Sequence, residues 1–282
     1  MNLIDHPLSR WAFLSQEERN STYNNAAGVP ASSVLNQERD QVSALYRAAH
    51  RGSLDLSYGP APRQAWDIYP GTNPSAPCLV FFHGGYWQMN GRESFACVAE
   101  GLAPHGWSVA LPGYTLAPEA SLAGIVAEVW SALDWLQSHL ARHKLSGKVV
   151  VSGWSAGAQL AALSLAHPLA DAGLAIAGVY ELAPLRDTYL NDKLPLTDRE
   201  IESLSPMRLP VVNKPLTIAY GSTELPVLIE EARGFHRLRA GAHAPGLLLP
   251  VPNANHYTIL DELRNPNGLL TRAALDLAHE TS

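Results

Sequence analysis

The pentapeptide Gly153-Trp154-Ser155-Ala156-Gly157 constrains this chain more than any other stretch. It follows the apolar run Lys148-Val149-Val150-Val151-Ser152 and leads into Ala158-Gln159-Leu160-Ala161-Ala162-Leu163-Ser164-Leu165. A β-branched run, a Gly-x-Ser-x-Gly turn and an Ala/Leu-rich run predict strand, sharp turn and helix in immediate succession. On such a turn the serine hydroxyl is pushed clear of the strand end. The flanking glycines let strand and helix backbones pass where side chains would clash. The helix that opens here aims backbone N–H groups at whatever bonds to the serine oxygen.

The rest of the chain repeats the same alternation. Buried-strand runs are expected at Cys78–Phe82, Trp107–Leu111, Ala175–Tyr180, Leu216–Tyr220 and Gly246–Val251. Ala65–Tyr69 alternates like a strand and ends on the turn signal Pro70-Gly71. Helices are expected over Gly91–Leu102, Ser121–Leu140, Pro226–Arg239 and Gly268–Ala278. Strands alternating with helices imply an α/β fold, a mostly parallel, doubly wound sheet with helices on both faces. With 282 residues, 46% of them hydrophobic and 16% charged, a single domain with a sizeable core is expected. Residues 1–55 form a helical preface whose first start is signalled by Ser15-Gln16-Glu17-Glu18. The interval 185–210, with a short helix near Thr197–Ser203, breaks the rhythm as a lid insertion or a long connection. Together they are expected to make a small cap.

A serine hydroxyl needs a base to become a nucleophile, and histidine suits neutral pH. Of eleven histidines, His256 in Asn253-Ala254-Asn255-His256-Tyr257 follows the last strand, where a loop at the carboxyl edge of the sheet places it. His139 and His143 share a helix face with no carboxylate at metal-site spacing, so no metal is expected. The base in turn needs an anion to fix its tautomer. Glu224, after the strand ending at Tyr220, is favoured over Glu181 and Asp187. The turn His83-Gly84-Gly85-Tyr86-Trp87 can present consecutive backbone donors to a developing oxyanion. The amides of Gly85 and Tyr86, with that of Ala156, are the expected donors. His83, Trp87, Trp154, Tyr114 and Tyr257 flank these motifs and are the candidate substrate-binding residues, as aromatic walls for a flat group.

These motifs resemble the α/β-hydrolase superfamily, and within it the hormone-sensitive-lipase-like branch. There the first motif reads His-Gly-Gly-Gly and a later loop reads Tyr-Arg-Leu-Ala-Pro-Glu, against Tyr114-Thr115-Leu116-Ala117-Pro118-Glu119 here. Tyr86 in place of the third glycine makes His-Gly-Gly-Tyr-Trp similar to the serine-dependent arylformamidase group. Tyr58-Gly59, Asp67-Ile68-Tyr69, Glu224-Leu225-Pro226 and Asn255-His256-Tyr257 extend the likeness over about residues 55 to 270. Tyr257 departs from the Phe often found there. The resemblance implies an α/β-hydrolase fold and a serine hydrolase of N-formyl or N-acyl aromatic amines. A carboxylesterase for small acyl or aryl esters is the alternative. No cofactor is expected, and the partner is a small aromatic acyl compound.

A net charge of −6 offers no footprint for nucleic acid, and no apolar run is long enough to span a membrane. Cys78 and Cys97 make no disulfide framework and suit a reducing cytoplasm. Met1 to Trp11 carry Asp5 and His6 and lack the apolar core of a secretory signal. A homodimer is left open.

Overall fold

The computed structural model describes residues 11–280 apart from Arg51. Residues 1–10, on which the expectation of no secretory signal falls, lie outside the described residues. The chain opens with helices α1 (Gln16–Thr22), α2 (Asn25–Gly28) and α3 (Ser32–Ala49). Ser15 caps α1 in a capping box with Glu18. Then come strands β1 (Ser53–Ser57), β2 (Ala65–Tyr69) and β3 (Cys78–Phe82), helix α4 (Ala99–Leu102) and strand β4 (Ser108–Pro112). Helix α5 (Leu122–His139), strand β5 (Val149–Trp154), helix α6 (Ala156–Ser164) and strand β6 (Ala172–Ile176) follow. Helix α7 (Asp198–Leu204), strand β7 (Leu216–Gly221), helix α8 (Pro226–Gly241), strand β8 (Leu248–Val251) and helices α9 (Asp261–Arg264) and α10 (Leu269–Glu280) complete it.

The eight strands make one sheet in the order β1-β2-β4-β3-β5-β6-β7-β8. β1/β2 and β2/β4 pair antiparallel, and every other pair is parallel. Successive strand residues face opposite sides, so the central runs are apolar throughout. Cys78, Val80 and Phe82 enter one core with α5, α6 and α8. Leu79 and Phe81 enter the other with α4, α9 and α10. This is the α/β-hydrolase arrangement.

Four expectations are corrected. β1 belongs to the sheet, so the helical preface stops at Ala49 rather than at residue 55. The strand expected over Ala175–Tyr180 is instead Ala172–Ile176, because the backbone turns at Ala177 with φ +51°. Val179 and Tyr180 are apolar because they are buried in the core, not because they pair. The last strand starts at Leu248, after Gly246 with φ +139°. Gly91–Leu102 is a 3₁₀ turn over Arg92–Val98 that only then becomes α4.

An ion cluster fixes α3 to the sheet edge. Asp67, in the middle of β2, is fully buried. Its carboxylate accepts from Arg47 Nε at 3.1 Å, from Arg92 Nε at 3.2 Å and from the amide of Asp55 at 2.9 Å. A buried carboxylate is tolerable when donors and counter-charges enclose it in this way. No helix among the described residues is long and apolar enough to cross a membrane.

Candidate active site

Parallel strands gather their following loops at one edge of the sheet, where open α/β sheets form their clefts. Four such loops meet here. β5 ends at Trp154 and turns at Ser155 into α6. Its neighbour β3 ends at Phe82 and leads into His83–Trp87. β7 delivers Glu224 and β8 delivers His256.

The turn at Ser155 is strained, with φ +57° and ψ −121°. Strand and helix are so close there that a Cβ on Gly153 would strike the carbonyl of Gly157, and one on Gly157 would strike that of Phe82. The Ser155 amide is held by the carbonyl of Ile176 at 2.8 Å. Ser155 Oγ lies 3.1 Å from His256 Nε2. On the other side of the ring, Nδ1 lies 3.1 and 3.3 Å from the two oxygens of Glu224. Ser155 is 2% exposed and His256 3%, so these groups interact out of contact with bulk water and with little screening.

The loops that carry acid and base are stitched together. Thr223 donates through both its amide and its hydroxyl to the carbonyl of Ala254, at 3.0 and 2.9 Å. Asn253 donates its amide to Ser222 Oγ at 2.8 Å. Asn255 Oδ1 accepts the amides of Tyr257 and Thr258 at 2.9 and 3.0 Å, fixing the chain on either side of His256. Trp154 Nε1 donates to the carbonyl of His256 at 2.7 Å. The rejected acids are occupied elsewhere. Glu181 pairs with Arg208 at 2.9 Å, and Asp187 accepts from Trp11 Nε1 at 3.0 Å.

The His83–Trp87 loop lies against the serine turn; a Cβ on Gly84 would sit 3.0 Å from that of Ser155. Gly85, Tyr86 and Trp87 all have positive φ, at +116°, +48° and +58°. Among the described residues, the amides of Gly85, Tyr86 and Ala156 donate to no protein acceptor. Asn90 Nδ2 braces the loop from outside by donating to the Gly84 carbonyl at 3.1 Å.

The five candidate substrate-binding residues separate. Trp154 and Tyr257 border a cavity beside the His256 loop, with Leu35, Arg39 and Arg264. His83 and Tyr114 do not form a wall. Their rings stack at 4.2 Å, and the Tyr114 hydroxyl donates to the His83 carbonyl at 2.7 Å. Burial pushes the His83 imidazole down to about 4, so it stays neutral and supports the loop. Trp87 is fully buried in the core, on a backbone with φ +58°. Tyr23, Asn25 and Glu231, described below, had no local signature; their partners lie 61 to 208 residues away. No group of His, Cys, Asp or Glu that could hold a metal is present among the described residues.

Arranged this way, serine, imidazole and carboxylate form one hydrogen-bonded line beside amides that donate to no protein acceptor among the described residues. The fold is an α/β-hydrolase fold. Residues 79–211 match a family described by its alpha/beta hydrolase fold. The chain is 27% identical to the kynurenine formamidase of Danio rerio, over 96% of this chain and 99% of that one. A crystal structure of a candidate thioesterase from Silicibacter sp. TM1040 superposes with a TM-score of 0.80 at 24% identity, covering 90% of this chain and 97% of that one. Esterase B from Lactobacillus rhamnosis superposes with a TM-score of 0.70 at 18% identity, covering 92% and 97%.

Proposed function

We propose that this hydrolase cleaves the N-formyl or N-acyl amide of an aromatic amine in two acyl-transfer steps. The observation that carries the chemistry is the line from Ser155 Oγ through His256 to Glu224, at 3.1 Å for each link. Ser155 attacks the carbonyl carbon while His256 Nε2 takes its proton, and Glu224 stabilises the resulting imidazolium. The amides of Gly85, Tyr86 and Ala156 receive the oxyanion. His256 then protonates the departing arylamine nitrogen as the C–N bond breaks. Water, deprotonated by the same imidazole, releases the acid from Ser155.

The full-length likeness to kynurenine formamidase supports the substrate class. Trp154 and Tyr257, beside the histidine loop, offer aromatic surface to a planar leaving group. Cys78 and Cys97 are free and buried, which supports action in a reducing compartment such as the cytoplasm. The test compares kcat/KM for N-formylkynurenine and for p-nitrophenyl acetate, in the wild type and in Ser155→Ala. The reading expects the formamide to be preferred and both activities to fall by about 10³-fold or more in the variant. A preference for the ester would make the protein a carboxylesterase. Full turnover by Ser155→Ala would remove the nucleophile.

A further inference from the structure

Tyr86 is an unusual occupant of its position. A bulky residue at φ +48° is held against its own steric preference. Something outside the loop has to hold it, and the structure shows what does. The Tyr86 hydroxyl donates to the carbonyl of Tyr23 at 2.7 Å and accepts from Asn25 Nδ2 at 3.1 Å. Tyr23 follows α1 and Asn25 opens α2, both outside the core sheet. Tyr23 is itself pinned. It is fully buried, and its hydroxyl donates to Glu231 Oε1 at 2.8 Å. Glu231, on α8, is 2% exposed and accepts the amides of Tyr180 and Glu181 on its other oxygen, at 2.5 and 3.0 Å. Those amides belong to the loop after β6, the strand whose Ile176 carbonyl holds the Ser155 amide.

We propose that Tyr23, Asn25 and Glu231 are positioning residues that hold the Tyr86 turn with its amide facing the Ser155 oxyanion. The N-terminal segment is then part of the catalytic apparatus although none of its atoms reacts. A loop with glycine at this place would adopt the turn freely, without fixing it. Tyrosine adds a side-chain handle, and the segment from Tyr23 to Asn25 grips that handle. The proposal rests on the oxyanion role given to Tyr86 above.

Steady-state kinetics on a formamide substrate test it, with Tyr86→Phe, Tyr23→Phe, their double variant and Asn25→Ala. Tyr86→Phe keeps the amide and the ring and removes only the handle. It should lower kcat about 10- to 100-fold with KM within about twofold, the pattern of an interaction felt in the transition state. Tyr23→Phe should lower kcat in the same way although the hydroxyl it removes bonds to Glu231 and not to Tyr86. The double variant should lose less than the product of the two single losses, because both act through one chain of bonds. Asn25→Ala carries the test if Tyr86→Phe fails to fold, as judged by its thermal transition. An unchanged kcat in Tyr86→Phe or Asn25→Ala, a loss expressed only in KM, or fully multiplicative losses would overturn the proposal. Failure of the catalytic reading itself is separable, since it shows as activity retained in Ser155→Ala.

Discussion

The indole Nε1 of Trp154 donates to the carbonyl oxygen of His256 at 2.7 Å, and its ring centroid lies 4.9 Å from the imidazole. In the proposed reaction, the second residue of the Gly-x-Ser-x-Gly motif thus helps position the base that serves the third. Trp154→Phe keeps an aromatic ring beside His256 and deletes the bond. We predict a fall in kcat of about 10-fold, the scale of a small misplacement of a catalytic group. An unchanged kcat would show that the bonds of Thr223, Asn253 and Asn255 anchor the loop without Trp154.

Glu224→Gln replaces the anion behind His256 with a neutral amide. The imidazolium formed during proton transfer loses its counter-charge, and the ring can settle in the wrong tautomer. A drop in kcat of about 10²- to 10⁴-fold is expected. Kinetics near pH 8 with matched KM would check it, and a loss under threefold would show that the carboxylate is not needed.

Asp67→Ala removes the acceptor shared by Arg47 and Arg92. Arg92 is 6% exposed and would keep Asp55 and Glu93 as its only carboxylate partners among the described residues. Breaking a buried ion cluster from one side costs about 3–5 kcal/mol. Urea unfolding should show that loss. A change under about 1 kcal/mol would mean that Asp55 takes over.

Burial pushes the Glu231 carboxyl up to about 7 from 4.5, against the donors from Tyr180, Glu181 and Tyr23. The unfolded chain therefore releases this proton first as pH rises. The stability contributed by the group is greatest below pH 4.5, falls between 4.5 and 7, and is level above that. At ~1.4 kcal/mol per pH unit the swing is roughly 3 kcal/mol. Glu231→Gln cannot titrate, so the stability difference between wild type and variant should change by that amount across the interval. A difference constant from pH 4.5 to 8 would refute the assignment.

The sheet was legible because its central strands carry apolar residues on both faces and stop at glycine-rich turns. β3 and β5 could be placed from their sequence runs alone. β1, with its Ser-Leu-Asp-Leu-Ser pattern at a half-exposed edge, could not. β6 was displaced because Val179 and Tyr180 are as apolar as the strand before them, and burial does not say which backbone pairs. Ser155, His256 and Glu224 could be singled out because each follows a strand, where chain order maps onto one edge of the sheet. The residues behind Tyr86 could not be. Asn25 and Glu231 act through the end of a short helix and one face of a long one, and nothing local distinguishes them from packing.

Ser155 is 2% exposed, and the Tyr86 turn beside it is tied to Tyr23 and Asn25 near the start of the chain. Where a reacting group is shut in this way, a substrate's arrival, the exit of its first fragment and the entry of water are successive passages through a shared doorway. Slow departure of a large amine would hold water back from the acyl-serine. Turnover would then report on passage to and from the buried serine as much as on bond making.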